Sequence, residues 1–160
     1  MLYFIYCGKH FQIKLNFDIL LYMNKKKRKQ PNLGQLIIPV GNPNPPEPHE
    51  VDAAKVLAQH YQTTVEFLVP VDDYKRKSAD IKMLGTVWEI KSPIGGTKST
   101  IQNQFRRASK QAKNIILDIR RTKLNYETID KRVRFELQKH PYLKKVILID
   151  NFENVIEIQK

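Results

Sequence analysis

Between residues 49 and 160 the spacing of apolar positions changes period several times. Val51, Ala54, Leu57, Ala58 and Tyr61 recur every three or four residues after Pro48, which predicts a helix. Thr64 to Val69 is β-branched and apolar and stops at Pro70, which predicts a strand. Ala79 to Met83 and Thr86 to Lys91 alternate around Leu84-Gly85, the pattern of two strands of a hairpin. Ile101, Phe105, Ala108 and Ala112 predict a helix from about Ser99 to Lys113. Asn114 to Ile119 is continuously apolar, as in a strand buried on both faces. Ile129, Val133, Phe135 and Leu137 mark another helix, ending near His140-Pro141, and Lys145 to Ile149 and Val155 to Ile158 are two last strands. The order αβββαβαββ predicts an α/β (α+β) fold, a mixed central sheet flanked by helices.

Residues 1–48 break this pattern. Their last part, residues 24–48, holds the basic run Lys25 to Lys29 and then Pro31, Pro39, Pro43, Pro45, Pro46 and Pro48. Proline at that density blocks helix and cannot donate to a ladder, so the stretch reads as an extended basic linker. Residues 1–22 differ in character again, and Met23 followed by NKKKRKQ resembles an ordinary basic N-terminus. Translation from Met23 is one expectation for this region. A genuine short amphipathic strand or helix is the other. The folded domain is expected over 49–160.

Charge narrows the function. There are 28 Lys+Arg against 16 Asp+Glu, a net +12, and the sequence pI is about 9.8. Residues 49–160 keep 21 of the basic and 14 of the acidic residues, so the excess is not confined to the leader. Clustered lysine and arginine suit a polyanion, because neutralised phosphates release counterions. The sole cysteine, Cys7, excludes an intrachain disulfide and a Cys-rich zinc site. His10, His49, His60 and His140 show no metal-ligand spacing. No stretch reaches the roughly 18 apolar residues of a membrane span, and no signal peptide is recognisable. The expected site of action is the cytoplasm, with no membrane involved.

The hairpin carries the chemistry. With Leu84-Gly85 as a two-residue turn, Met83 faces Thr86, Asp80 lies across from Glu89, and Ser78 across from Lys91. Alternation puts Ala79, Ile81, Met83, Trp88 and Ile90 on a core face and Ser78, Asp80, Glu89 and Lys91 on the other. Opposed like charges on a sheet are unfavourable and need an offset. A hard divalent cation supplies one, since two carboxylates with waters and phosphate oxygens are an ordinary magnesium site. Neutralisation of Asp80 and Glu89 by Lys82 and Lys91 on a solvated strand face supplies another. After the hairpin, SPIGGTKST sets Thr97, Ser99 and Thr100 at a helix N-terminus, which suits a backbone phosphate or a plain N-cap. Arg106, Arg107, Lys110, Lys113, Arg120, Arg121 and Lys123 are candidates for phosphate contact, and Tyr74 beside Lys75, Arg76 and Lys77 for base stacking.

The string ADIKMLGTVWEIKSP resembles the Asp…Glu-x-Lys core of the PD-(D/E)XK nucleases. More narrowly, residues 50–121 resemble the C-terminal tRNA-nuclease toxin domains of contact-dependent growth inhibition systems. The likeness runs through Ala79-Asp80-Ile81, Trp88 to Pro93, Gly95 to Ile101, Gln104, Ala108, Gln111 and NIILDIRR. It implies a restriction-endonuclease-like fold and a metal-dependent endoribonuclease that hydrolyses tRNA. Asp80 and Glu89 would hold a divalent metal, magnesium, with Lys91 as the catalytic lysine and Glu50 as a further acidic ligand or water-orienting group. Ser92, Thr97, Ser99, Thr100, Gln104, Arg107 and Gln111 would contact the nucleic acid, with Gln104 and Gln111 on one helix face bordering the site. A cognate acidic immunity protein would be the partner. Two departures stand out. Ala79 occupies the position of the superfamily's proline, and the long delivery protein that precedes such toxins is missing. Three other readings fit the residues: a DNA endonuclease with the same core, a metal-free RNase using His49 or His60 with lysine, and a non-catalytic basic nucleic-acid-binding module.

Overall fold

The computed structural model describes residues 34–42, 44–70 and 78–160. The expected start at Met23, the basic run Lys25 to Lys29 and the Tyr74 to Lys77 cluster lie outside those residues. Seven strands and three helices appear among them: β1 (Gln35–Ile37), α1 (Pro48–Tyr61), β2 (Thr64–Phe67), β3 (Ile81–Met83), β4 (Thr86–Lys91), α2 (Lys98–Ala108), β5 (Asn114–Asp118), α3 (Tyr126–Lys139), β6 (Lys145–Ile149) and β7 (Val155–Gln159). The strands form one sheet in chain order, β1 to β7. The pairs β1–β2, β4–β5 and β5–β6 are parallel, and the others are antiparallel. The expected mixed sheet with flanking helices is present.

Each helix covers part of one face because of where its apolar stripe falls. On one side Ala53, Ala54, Leu57 and Ala58 of α1 pack with Val65, Phe67, Ile81, Met83, Trp88, Ile90 and Ile116. On the other, Ile101 and Phe105 of α2 and Ile129, Val133 and Leu137 of α3 pack with Ile115, Leu117, Val146 and Leu148. Strand β5 is therefore buried on both faces, as its continuous apolar run predicts, and β6 is buried in the same way. On the α2–α3 side, Glu66, Lys82 and Val87 of β2, β3 and β4 are exposed. Glu89 lies where this open part of the face gives way to the covered part.

Two expectations shift. The sheet begins inside the stretch read as linker: β1 pairs in parallel with β2, and Leu36 packs against the core. Three residues between prolines carry too little periodicity to announce a strand, and β1 exists because β2 offers it an edge. The second helix stops at Ala108 rather than continuing to Lys113. Lys110 N donates to Arg107 O and Gln111 N to Ala108 O, bonds that tighten the chain into a turn. Ala112 still buries its methyl group, so the apolar period outlasts the helix that it suggested.

Candidate active site

The β3–β4 turn sets the site's register. Leu84 and Gly85 both have positive φ, 51° and 71°, the conformation that matches the twist of a two-residue hairpin. Met83 pairs with Thr86, Lys82 with Val87 and Ile81 with Trp88, as alternation predicts. The expected Asp80–Glu89 register does not continue from there: Asp80 N donates to Trp88 O at 3.1 Å, so Asp80 and Ile81 both stand opposite Trp88, as in a bulge. The Asp80 carboxylate reaches across the strand, where Oδ2 accepts from Ile90 N at 2.7 Å. Ala79, Ile81, Met83, Trp88 and Ile90 are all buried on the core face.

Glu89 lies on the opposite face but not in solvent. Its register partner Ile115 belongs to the core beneath α2 and α3, and only 1% of Glu89 is exposed. The solvated-face alternative fails for this residue. Oε1 is ion-paired to Lys91 Nζ, and Oε2 is buried with no hydrogen-bond partner among the described residues. Burial first, and then the negative charge of Asp80, push the Glu89 carboxyl up to about 8, against the pull of Lys91. Burial also raises Asp80, with the Ile90 N–H and Lys91 opposing it.

Glu50 joins this group from another element. It occupies the first turn of α1, where its Oε2 accepts from Glu47 N at 2.9 Å and closes a capping box. Burial raises its pKa most, the Glu47 N–H lowers it, and Asp80's charge raises it further, while His49 and Lys91 act the other way. Asp80 likewise feels His49 and Lys91. The fold thus gathers Glu50, Asp80, Glu89 and Lys91 into one electrostatic neighbourhood, and adds His49. The sequence flagged His49 only as a distant alternative, because nothing in its spacing ties it to the hairpin.

The other nominated residues divide. Ser92 follows Lys91, and its hydroxyl is buried without a partner among the described residues. Thr97 caps α2, and its Oγ1 meets Ser99 Oγ at 2.8 Å and Thr100 Oγ1 at 3.1 Å, so capping is realised and three hydroxyls converge. Gln104 is half-buried in mid-helix. Arg107 and Gln111 are not brought to the carboxylates. Helix α2 runs back from the end of β4 toward the start of β5, so Arg107 in its last turn and Gln111 beyond it stand at the far end of the sheet. The shared helix face expected for Gln104 and Gln111 is lost with the early helix end. Arg120 leaves the list of free cations: it holds Asp118 through two bonds (2.9 and 2.8 Å) and Glu153 at 3.0 Å. That buried Asp118–Arg120 pair ends β5 at the same edge as Lys91. Its only sequence signal is an acid closing an apolar run.

Among the described residues no helix is long and apolar enough to cross a membrane, and no group of three or more His, Cys, Asp or Glu side chains is arranged to hold a metal ion. Residues 77–155 match the contact-dependent growth inhibition CdiA C-terminal domain. That family is one of toxin domains, and the match spans just under half of the chain. The match contains Asp80, Glu89 and Lys91 and stops short of Glu50. The toxin domain also shares its fold with a chain of the CdiA-CT/CdiI toxin and immunity complex from Burkholderia pseudomallei, with TM-score 0.59 and 23% identity over 79% of this chain and 100% of that one. None of the curated proteins matches this sequence.

Proposed function

We propose that this toxin domain is a metal-dependent endoribonuclease that hydrolyses tRNA, with Asp80, Glu89, Lys91 and Glu50 as its site. The observation that carries the reading is Glu89: an acid buried in an apolar sheet, beside a second carboxylate, with one oxygen that has no hydrogen-bond partner among the described residues. Such a group costs stability unless it serves a purpose. Two adjacent carboxyls fit the donor set of a hard divalent cation, which completes its shell with waters and phosphate oxygens. Asp80 and Glu89 would hold the cation, with Glu50 near enough to orient water. When bound, such an ion supplies charge stabilisation at the phosphate and lowers the pKa of water. The chain's own groups do the rest. The Ile90 N–H fixes the Asp80 carboxylate, and Lys91 balances charge as it develops. The hydroxyls at the N-terminus of α2 favour a backbone phosphate beside the site.

Substitution with chelation tests the reading. Glu89→Gln keeps side-chain shape, so the protein should stay folded and lose cleavage of total tRNA. Lys91→Ala should lose on the order of 100-fold or more in rate. Excess EDTA should abolish cleavage by the parent protein. Folded variants with near-normal rates would refute the site. Undiminished cleavage in EDTA would move the chemistry to His49, which stands within the field of Glu50 and Asp80.

The partner follows from the same reading. The structural relative is a toxin and immunity complex, and we infer a cognate acidic immunity protein here as well. A +12 chain attracts an acidic partner over long range. Delivery into a neighbouring cell, with action in its cytoplasm, belongs to this proposal.

A further inference from the structure

A groove of about 740 Å³ opens at the end of the sheet away from the carboxylates. Lys110, Gln111 and Lys113 from the turn after α2, Val87, Asn114 and Tyr142 line it. No acidic side chain does. Tyr142 is 75% exposed in the turn between α3 and β6, and the next residue, Leu143, is fully buried and anchors that turn. Lys144 N donates to Lys113 O at 2.8 Å, which staples the two turns, and Asn114 Nδ2 donates to Val87 O at 3.2 Å. The turns that carry the ring and the ammonium groups are therefore tied together through their backbones.

The charges here are uncommitted. On α3, Lys131, Arg132 and Arg134 each meet an acid four residues away. Around the groove Arg106, Arg107, Lys110, Lys113 and Lys144 are exposed, and none forms an ion pair with a described residue. Lys82, Arg121 and Lys123 are exposed and without an ion pair to a described residue as well, but none of them lines the groove. Apolar lining is limited to Val87 and Ala112 beside the tyrosine, too little for the apolar centre of a protein interface. Free cations, amides and one exposed ring are what a single-stranded nucleic acid uses.

We propose that this groove is a second RNA-contact surface, which stacks one unpaired base on Tyr142 and holds flanking phosphates with Lys110 and Lys113. It deepens the nuclease reading, on which it rests. Val87 and Lys91 lie on the same face of β4, about 13 Å apart along the strand. Substrate bound in the groove is thus gripped several nucleotides from the bond presented to Asp80 and Glu89. The groove sets affinity and the choice of strand, while the carboxylates act on the phosphodiester.

Fluorescence anisotropy on the full-length protein tests this, using a single-stranded RNA of about twelve nucleotides made uncleavable by 2′-O-methylation, and its duplex. Tyr142→Ala should weaken single-strand binding roughly tenfold and duplex binding hardly at all, and Tyr142→Phe should restore it. Lys110→Glu with Lys113→Glu should weaken both and flatten the salt dependence by about 1.4 in log–log slope, at about 0.7 per phosphate. In cleavage assays both changes should raise KM and leave kcat. Folded groove variants with parental RNA affinity would overturn the proposal. So would variants that lose only an acidic protein inhibitor, since the face would then be a protein-docking surface. Binding is read without cleavage: groove variants that lose RNA affinity in a protein that never cuts would sink the nuclease and leave the groove, and groove variants of parental affinity beside a Glu89→Gln that has lost cleavage would do the reverse.

Discussion

Glu89 is the residue at which sequence and environment disagree most. Alternation assigns it to the polar face, yet helix α2 and strand β5 enclose it, and Lys91 is its ion-pair partner. The consequence is a measurable pH dependence. Its folded value of about 8 lies above the ordinary 4.5, and Asp80 and Glu50 are raised as well. In the window between those values the folded protein keeps protons that the unfolded chain has released. Stability is then present at low pH and lost as pH rises through the folded value. In EDTA, the melting temperature should fall from about pH 5 to about pH 8, and Glu89→Gln should remove most of that slope. Asp150 and Glu157, which are held low, titrate below this window. A melting temperature that rises over the same range would place Glu89 in an ionised, well-compensated site. Asp80 and Lys91 were legible from the hairpin alone. His49 was not, because its proximity comes from the packing of α1 and leaves no trace in local spacing.

Two elements carry strain that a substitution can expose. The β3–β4 turn needs positive φ at both central residues, and Leu84 supplies the first of them with a branched side chain that is 60% exposed. Leu84→Asn keeps the register and removes the penalty, so it should stabilise by about 0.5–1 kcal/mol in urea unfolding. A destabilised variant would show that Leu84 packs against something beyond the described residues. Strand β1 is the converse case. Gly34 has φ +53°, and a Cβ there would stand 2.2 Å from Ala58 O, a backbone atom of α1. Gly34→Ala should cost about 2 kcal/mol or more, through both the conformation and the clash. If it is neutral, β1 contributes nothing to the stability of 49–160, and the boundary read from the prolines stands. Hairpin and long helices were visible in advance because their periods repeat. A three-residue strand has no period to read.

At the scale of the molecule, the basic excess is distributed unevenly. Lys131, Arg132 and Arg134 are paired within α3 and Arg120 with Asp118 and Glu153, while Arg106, Arg107, Lys110, Lys113 and Lys144 near the end of α2, and Lys82, Arg121 and Lys123 elsewhere, are exposed and form no ion pair with a described residue. An acidic immunity partner should therefore associate fast at low salt. Its on-rate should drop by about tenfold or more between about 50 and 500 mM salt, with a smaller change in off-rate, measurable by stopped flow. An on-rate indifferent to salt would mean that the partner docks by shape on a neutral part of the surface.

By itself the sequence determined the element order from α1 to β7, the hairpin register from Ile81 to Trp88, the burial of β5, and the presence of Asp80 and Glu89 on one hairpin. Each is a local matter of period, turn chemistry and charge within a few residues. It also determined the net charge that points to a polyanion. Only the tertiary structure decided that Glu89 is buried, that Glu50 and His49 stand with the hairpin, and that Arg107 and Gln111 stand apart from it. It alone added β1 to the sheet and held Tyr142 beside Lys113. These depend on which helix covers which half of a sheet face and on where a helix stops. Contacts between residues far apart in the chain settle both, and no short window of sequence contains them.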